Sequence, residues 1–241
     1  MGAGVSDLTL VVRPRDESIV SNYFTVDPGL LQRLGHHPDR LGGTRELYAR
    51  LSRLRLRYIR QPRATGFGEA VLRAGRAVGS RPFLVHASDA FLDEPNRGEV
   101  PRAMGRLLVS EGLDAVLLVR RVRDPRRYGV VEASPMGRFG RWRRLEVHGM
   151  VEKPARPKST WAATAVYAFR PELFAALREV RRTRSPRSEL ELTDGIQGLL
   201  DRGGRVAALV LAAPATWRSV GSPESYYRAL HATHLRIGPG G

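Results

Sequence analysis

Cysteine is absent from the 241 residues, which excludes disulfides, thiolate metal sites and a cysteine nucleophile and leaves the redox compartment open. Lysine is almost absent too. Lys153 and Lys158 are the only two among 40 basic residues, the rest being arginine, and asparagine occurs only at Asn22 and Asn96, a bias of GC-rich coding. No run approaches the roughly 18 consecutive apolar residues of a transmembrane helix. The opening MGAGVSDLTLVVRPRDES lacks a basic segment followed by a long apolar stretch, so it does not read as a signal peptide. These absences describe a soluble, cytoplasmic chain with no membrane partner. No internal repeat or low-complexity domain is present.

The chain has an apolar content of 42%, enough for one globular domain over residues 1–236, with a disordered tail at 237–241. Forty basic against 24 acidic side chains give a formal charge of +16, a field that concentrates phosphates of any kind without choosing among them. Nucleic acid is a weak candidate. The arginine runs at 118–127, 138–144 and 178–187 fall on different elements and lack interleaved stacking aromatics, so they read as solvated faces.

Residues 8–12 (LTLVV) form a strand, a helix follows over Ser18–Phe24, and residues 25–57 form a helical insertion with leucines at 47, 51 and 54 on one stripe. Tyr58–Gln61 is a strand end, Gly68–Val78 a helix, and PFLVHASD (82–89) a buried strand. Beyond these come a helix over 101–112 and strands over 114–122, 128–133, 144–151 and 160–169. Helices then follow from Pro171 and over Thr193–Asp201, with a strand over 206–212 and a last helix capped by Ser222. The pattern is that of an α/β fold of Rossmann-like type, a mixed, mainly parallel sheet with flanking helices.

Three places could carry chemistry. Asp89 ends an apolar strand at the edge where α/β sheets open onto ligands, and a carboxylate there could hold Mg²⁺ against phosphate oxygens or simply form a turn. In QPRATGFGEA, Gln61 stands at a strand end before a glycine-containing loop and a helix, which suits close approach to a base or a phosphate and equally suits a plain βα turn. In Glu152-Lys153-Pro154, Lys153 is a compact charge suited to a single phosphate, or a solvated surface charge beside Glu152. His36, His37 and His86 lack zinc-ligand spacing and read as structural.

The order of QPRATGFGEAV, PFLVHASD, Tyr128-Gly129-Val130-Val131, GMVEKP, SELELTD and WRSVG-SPESYY resembles the sugar-1-phosphate nucleotidylyltransferases, most closely their UTP–glucose-1-phosphate uridylyltransferase branch. The resemblance covers nearly the whole chain and implies a nucleotide-diphospho-sugar transferase fold. It implies attack of a glucose-1-phosphate oxygen on the α-phosphate of UTP, assisted by Mg²⁺ and expelling pyrophosphate. By the same resemblance Gln61 and Gly66 read the uracil edge and Asp89 ligates Mg²⁺. Glu152 bonds sugar hydroxyls, Lys153 binds the sugar phosphate and Gly129 approaches the sugar. UTP or UDP-glucose and glucose-1-phosphate are then the ligands, with a homo-oligomer or a complementing N-terminal segment as further partners.

Three departures from the family pattern bear on activity. The family opens with a strand and a GxGTR-type loop, and this chain starts one strand later, which leaves two strand edges unpaired or forces them together. The family's late tryptophan-x-aspartate-x-glycine reads Trp217-Arg218-Ser219-Val220-Gly221, so Ser219 replaces the second metal ligand and Arg218 adds positive charge where the cation would sit. Ala165 stands where a glycine is expected. A missed upstream start, a separately encoded segment and a degenerate paralogue all fit the first departure. The chain is accordingly expected to be either such an enzyme or a non-catalytic nucleotide-sugar-binding or regulatory relative.

Overall fold

The computed structural model describes residues 3–36, 38–185 and 188–237, so the expected tail and His37 lie wholly or mainly outside it. The chain enters through β1 (Asp7–Val12) and passes into α1 (Glu17–Phe24), α2 (Pro28–Arg33) and α3 (Pro38–Leu51). Asp27 caps α2 by accepting the Leu30 N–H at 2.9 Å, and Pro28 fills the first helical position, where its missing N–H has no cost. The return strand β2 (Arg55–Arg60) runs parallel to β1 from Asp7 opposite Arg55 to Val12 opposite Arg60.

This shortens the expected insertion. Residues 55–57 belong to β2, because Leu56 and Tyr58 turn inward while Arg55 and Arg57 turn out, a two-residue alternation that defeats the helical spacing of the leucines. Leu47, on the supposed buried stripe, is largely exposed.

The chain continues through α4 (Phe67–Arg73), α5 (Gly75–Val78), β3 (Phe83–His86), β4 (Ala90–Asp93), α6 (Glu99–Ser110) and β5 (Ala115–Arg121). A hairpin follows, β6 (Gly129–Phe139) and β7 (Trp142–Glu152), then β8 (Trp161–Phe169), α7 (Glu172–Thr183), α8 (Leu192–Asp201), β9 (Val206–Val210), β10 (Thr216–Ser219) and α9 (Pro223–Ile237). Ser222 caps α9 as expected, its Oγ accepting the Ser225 N–H at 3.2 Å.

The main sheet has the order β3-β8-β5-β9-β7-β6, and β1–β2 and β4–β10 form two further pairs. The fold is the mixed α/β architecture with flanking helices. Its parallel share is smaller than the apolar runs suggest: β1–β2 and β5–β9 are parallel, while β8 runs antiparallel between β3 and β5 and the β6–β7 hairpin adds antiparallel pairs.

Helices cover both faces of the main sheet. Ala115, Leu117 and Val119 of β5 enter one apolar core with Val71 of α4, Leu173 and Leu177 of α7, and Ile196 of α8. Val116 and Leu118 enter the other, against Met104, Leu107 and Leu108 of α6. Burial on both faces explains why β5 reads as a continuous apolar run.

Two glycines test this packing in opposite directions. A Cβ on Gly68 would lie 2.6 Å from the Glu191 carbonyl oxygen, whereas one on Gly105 in α6 meets nothing within 4 Å. Gly68→Ala is expected to destabilise the chain by about 2 kcal/mol or more through forced backbone displacement. Gly105→Ala is expected to stabilise it by about 0.5–1 kcal/mol through helix propensity. Urea denaturation of both variants checks the pair.

Candidate active site

The site begins where two distant backbone segments touch. Beyond β2 the Gln61 N–H continues the ladder to the Val12 carbonyl at 2.8 Å, and the Gln61 side-chain amide donates to the Gly66 carbonyl at 3.3 Å. Gly66 has φ +107°, and a Cβ there would sit 2.2 Å from the Leu190 carbonyl oxygen. The Leu190 N–H donates to the Thr65 carbonyl at 2.9 Å and the Gly68 N–H to the Leu190 carbonyl at 2.8 Å. The glycines that looked suited to a ligand are thus demanded first by the protein's own backbone.

This contact fixes the start of α8. Glu191 is its N-cap in a reciprocal capping box with Asp194, whose carboxylate accepts the Glu191 N–H at 2.9 Å and is in turn ion-paired with Arg184. Thr193, next along, packs against Gly129 at the start of β6. A Cβ on Gly129 would lie 2.9 Å from the Thr193 methyl and 3.3 Å from Glu152 Oε2.

At the end of β7, Lys153 Nζ lies 3.3 Å from Glu152 Oε1. The Lys153 N–H donates to the Tyr128 carbonyl at 3.0 Å, and the residue holds the left-handed φ of 40°. The Glu191 carboxyl is pushed up from its ordinary value by partial burial and then by the Glu152 charge, with Lys153 opposing. Behind them the buried Tyr167 phenol is pushed up by desolvation and then by the charges of Glu152, Glu191 and Asp89. The charges of Glu152, Glu191 and Asp89 thus all act on the Tyr167 phenol.

Asp89 is exposed in the turn between β3 and β4. Its carbonyl accepts the Val220 N–H at 2.6 Å, and a Cβ on Gly221 would be 3.5 Å from Asp89 Oδ2 and 3.6 Å from Ser219 Oγ. Asp89 and Ser219 are neighbours because β10 pairs antiparallel with β4, setting Ser219 opposite Ala90. Strand alternation turns Arg218 to the face opposite Ser219, where its Nε lies 3.8 Å from Asp93 Oδ2.

Other arginines depart from the solvated reading as well. Arg120 lies over Trp217 at 4.7 Å and near Tyr128 at 5.7 Å, Arg121 and Arg143 approach Trp161, and Arg144 is buried and ion-paired with Glu111 at 3.0 Å. Ala165, in place of the expected glycine, has φ +57° at the irregularity where β8 passes β5.

Among the described residues no group of three His, Asp or Glu side chains could cage a metal ion. Asp89 supplies one carboxylate and Ser219 a hydroxyl. That donor set does not fit a protein-built Mg²⁺ site and could take a hard cation only together with phosphate oxygens.

A mixed sheet covered on both faces, with carboxylates, a lysine and close-packed glycine loops near strand ends, defines an α/β protein, the class in which ligands bind at the sheet edge. The chain belongs to the nucleotidyl transferase family, whose model matches residues 3–235. It is similar to a glucose-1-phosphate thymidylyltransferase of Streptomyces griseus, 33% identical over 70% of this chain and 43% of that protein. It is also similar to a UTP–glucose-1-phosphate uridylyltransferase of Mycoplasma pneumoniae, 28% identical over 84% of this chain and 68% of that one. The chain thus spans less than half of the thymidylyltransferase. Among solved structures, an apo UDP-glucose pyrophosphorylase superposes with a TM-score of 0.86 at 21% identity, covering 99% of this chain and 84% of that one. A UTP-bound UGPase of Acinetobacter baumannii gives 0.79 at 25% identity, covering 99% and 80%.

The sequence reading passed over Glu191, Thr193 and Tyr167. Glu191 could have been found from SELELTD, where a carboxylate stands three residues before Asp194 in capping-box spacing. Nothing local marks Tyr167 in its apolar strand.

Because the Glu191 carboxyl is raised in the folded chain, its charge opposes folding. The stability linked to it is full at acid pH and is lost as pH rises through the raised value. Glu191→Gln is therefore expected to melt higher than the parent near neutral pH. That advantage should disappear at about pH 3, below the ordinary carboxylate range, as followed by thermal denaturation across pH.

Proposed function

We propose that the chain is a sugar-1-phosphate nucleotidylyltransferase domain that converts UTP and glucose-1-phosphate to UDP-glucose and pyrophosphate. The observation that carries this reading is the gathering of the Gln61–Gly66 loop, Glu152–Lys153 and Asp89 around Leu190–Glu191 and Tyr167. These are the residues that the family resemblance assigns to base, sugar and phosphate. Gln61, whose amide nitrogen is engaged by Gly66, turns its carbonyl to the uracil imide N–H. Glu152 accepts from sugar hydroxyls, and Lys153 neutralises the sugar phosphate.

The reaction is an in-line displacement. A phosphate oxygen of the sugar phosphate forms a bond to the α-phosphorus of UTP as the bond to the bridging oxygen breaks and pyrophosphate leaves with the electron pair. Such a step rests on positioning and charge neutralisation more than on proton transfer. Lys153 is held by its backbone bond to Tyr128 and by Glu152, so its ammonium arrives already oriented. Asp89 is placed to meet phosphate oxygens only through a cation entering with them.

A second reading, a non-catalytic nucleotide-sugar-binding protein, is favoured by Ser219, which gives that cation a hydroxyl where a carboxylate would bind it more tightly. Calorimetry with UDP-glucose, paired with pyrophosphate release from UTP and glucose-1-phosphate, tests both. Turnover is the expected result; tight binding without turnover selects the second reading, and no binding removes both. Lys153→Ala is expected to weaken UDP-glucose binding roughly 10- to 100-fold, the loss of a charged hydrogen bond.

Ser219→Asp sets a second carboxylate beside Asp89. It is expected to tighten Mg²⁺ binding in the presence of UTP by about tenfold, a step of about 1.4 kcal/mol. Titration calorimetry with Mg²⁺ reads the change, and unaltered affinity would show that Ser219 does not face the ion.

A further inference from the structure

Arg120 is a cation without a counter-charge at the edge of the main sheet. It is the penultimate residue of β5 and is half-buried. Among the described residues it makes no ion pair, whereas Arg126 and Arg218, close to Tyr128 and Trp217 in the sequence, reach Asp124 and Asp93. Its guanidinium lies 4.7 Å from the centre of the Trp217 ring and 5.7 Å from that of Tyr128. The two rings meet edge to face at 6.3 Å and form a corner around it. Its one side-chain hydrogen bond among the described residues is long, from Nη2 to the Tyr128 phenol oxygen at 3.5 Å. Aromatic faces attract a guanidinium but do not match its rim of N–H donors with acceptors.

The walls of this corner belong to two sides of the candidate site. β8 runs antiparallel to β3 and to β5, so those two strands point the same way, and Asp89 and Arg120 stand at the same edge of the sheet with β8 between them. Trp217 precedes Ser219 by two residues in β10, which puts both side chains on one face of that strand, and Ser219 is the neighbour of Asp89. Tyr128 accepts the Lys153 N–H with its carbonyl and leads into Gly129, which packs close to Glu152. Arg120 is thus bracketed by the Asp89–Ser219 side and the Glu152–Lys153 side.

We propose that Arg120 is a phosphate-binding residue of the site, meeting the phosphates of the nucleotide sugar from the Ser219 side. For the identity of the ligand this assignment rests on the proposed function. A planar guanidinium held against two rings presents its edge, and a phosphate takes two parallel N–H bonds from such an edge. Lys153 gives a single point charge to a ligand that carries two charged phosphates, and Ser219 brings no charge to hold a cation over the other. Arg120 supplies the second positive charge from the chain itself, independently of any bound cation. The aromatic corner fixes the guanidinium before the ligand arrives, so little side-chain freedom is lost on binding.

Titration calorimetry in EDTA with UDP-glucose, inorganic pyrophosphate and uridine reads this role. Arg120→Gln removes the charge and keeps a polar side chain beside the rings. It is expected to weaken UDP-glucose and pyrophosphate by about tenfold or more, the loss of a charged hydrogen bond, and to leave uridine within about twofold. Arg120→Lys keeps the charge without the planar fork and is expected to weaken UDP-glucose by about threefold or more; it carries the test should the glutamine variant not fold. Unchanged affinity for UDP-glucose and pyrophosphate in a folded variant overturns the role of Arg120 and leaves the proposed function standing. Equal weakening of uridine and UDP-glucose also overturns it, since the arginine would then only pack. A parent that binds pyrophosphate through Arg120 but does not bind UDP-glucose keeps the phosphate contact and removes the proposed function. A parent that binds neither overturns both.

Discussion

The contact between Thr65–Gly68 and Leu190–Glu191 is the constraint on which the candidate site is built. Two backbone hydrogen bonds close it, and an added methyl at either glycine would fall within bonding distance of a carbonyl oxygen or nearly so. Moving α8 outward to relieve such a clash would carry Glu191 away from Glu152 and Thr193 away from Gly129. The Gln61–Gly66 loop, the end of β7 and the α8 cap are thus one mechanical unit. Buried main-chain groups are satisfied on both sides of the crossing, which gives the unit its rigidity.

Charge is distributed against the first impression of composition. The chain carries +16, yet the charges of Asp89, Glu152 and Glu191 act together on Tyr167, and Lys153 opposes Glu152 at the Glu191 carboxyl. Many arginines are engaged elsewhere, in ion pairs such as Arg55–Asp7 and Arg60–Glu17 and in stacks on Trp161. Exposed pairs of this kind contribute about 0–1 kcal/mol each, so arginine content shapes the long-range field more than the stability of the fold.

Much of this was legible in the sequence because burial leaves a trace in composition. β5 and β9, covered on both faces, read as unbroken apolar runs, and α6 and α7 carry clean apolar stripes. The same rule fails where burial is one-sided or brief. The first residues of β2 read as helix because the preceding leucines at 47, 51 and 54 suit a 3.6 period. β4 and β10, at four residues each, are too short to show alternation, and their pairing alone brings Ser219 beside Asp89. The direction of Arg218 follows from that pairing and could not be read from its place next to Ser219. Among candidate residues, Asp89, Gln61 and the 152–153 pair stood out by their positions at strand ends, whereas Tyr167 is one apolar-strand residue among many until the fold surrounds it with carboxylates.

Strain is concentrated at two positions. Among the described residues Lys153 and Ala165 are the two non-glycine positions with positive φ. The left-handed region costs an L-residue roughly 1–2 kcal/mol, so each must be held by its surroundings. The Tyr128 carbonyl holds Lys153 through its N–H, and the Ala165 carbonyl is held by the Ala87 N–H in the turn that leads to Asp89. At Lys153 the strain is tied to a directed charge, since the backbone twist that follows Glu152 is what returns the ammonium toward its carboxylate. At Ala165 no side-chain chemistry offsets it: a methyl occupies a conformation that glycine adopts freely, in the strand that also carries Tyr167.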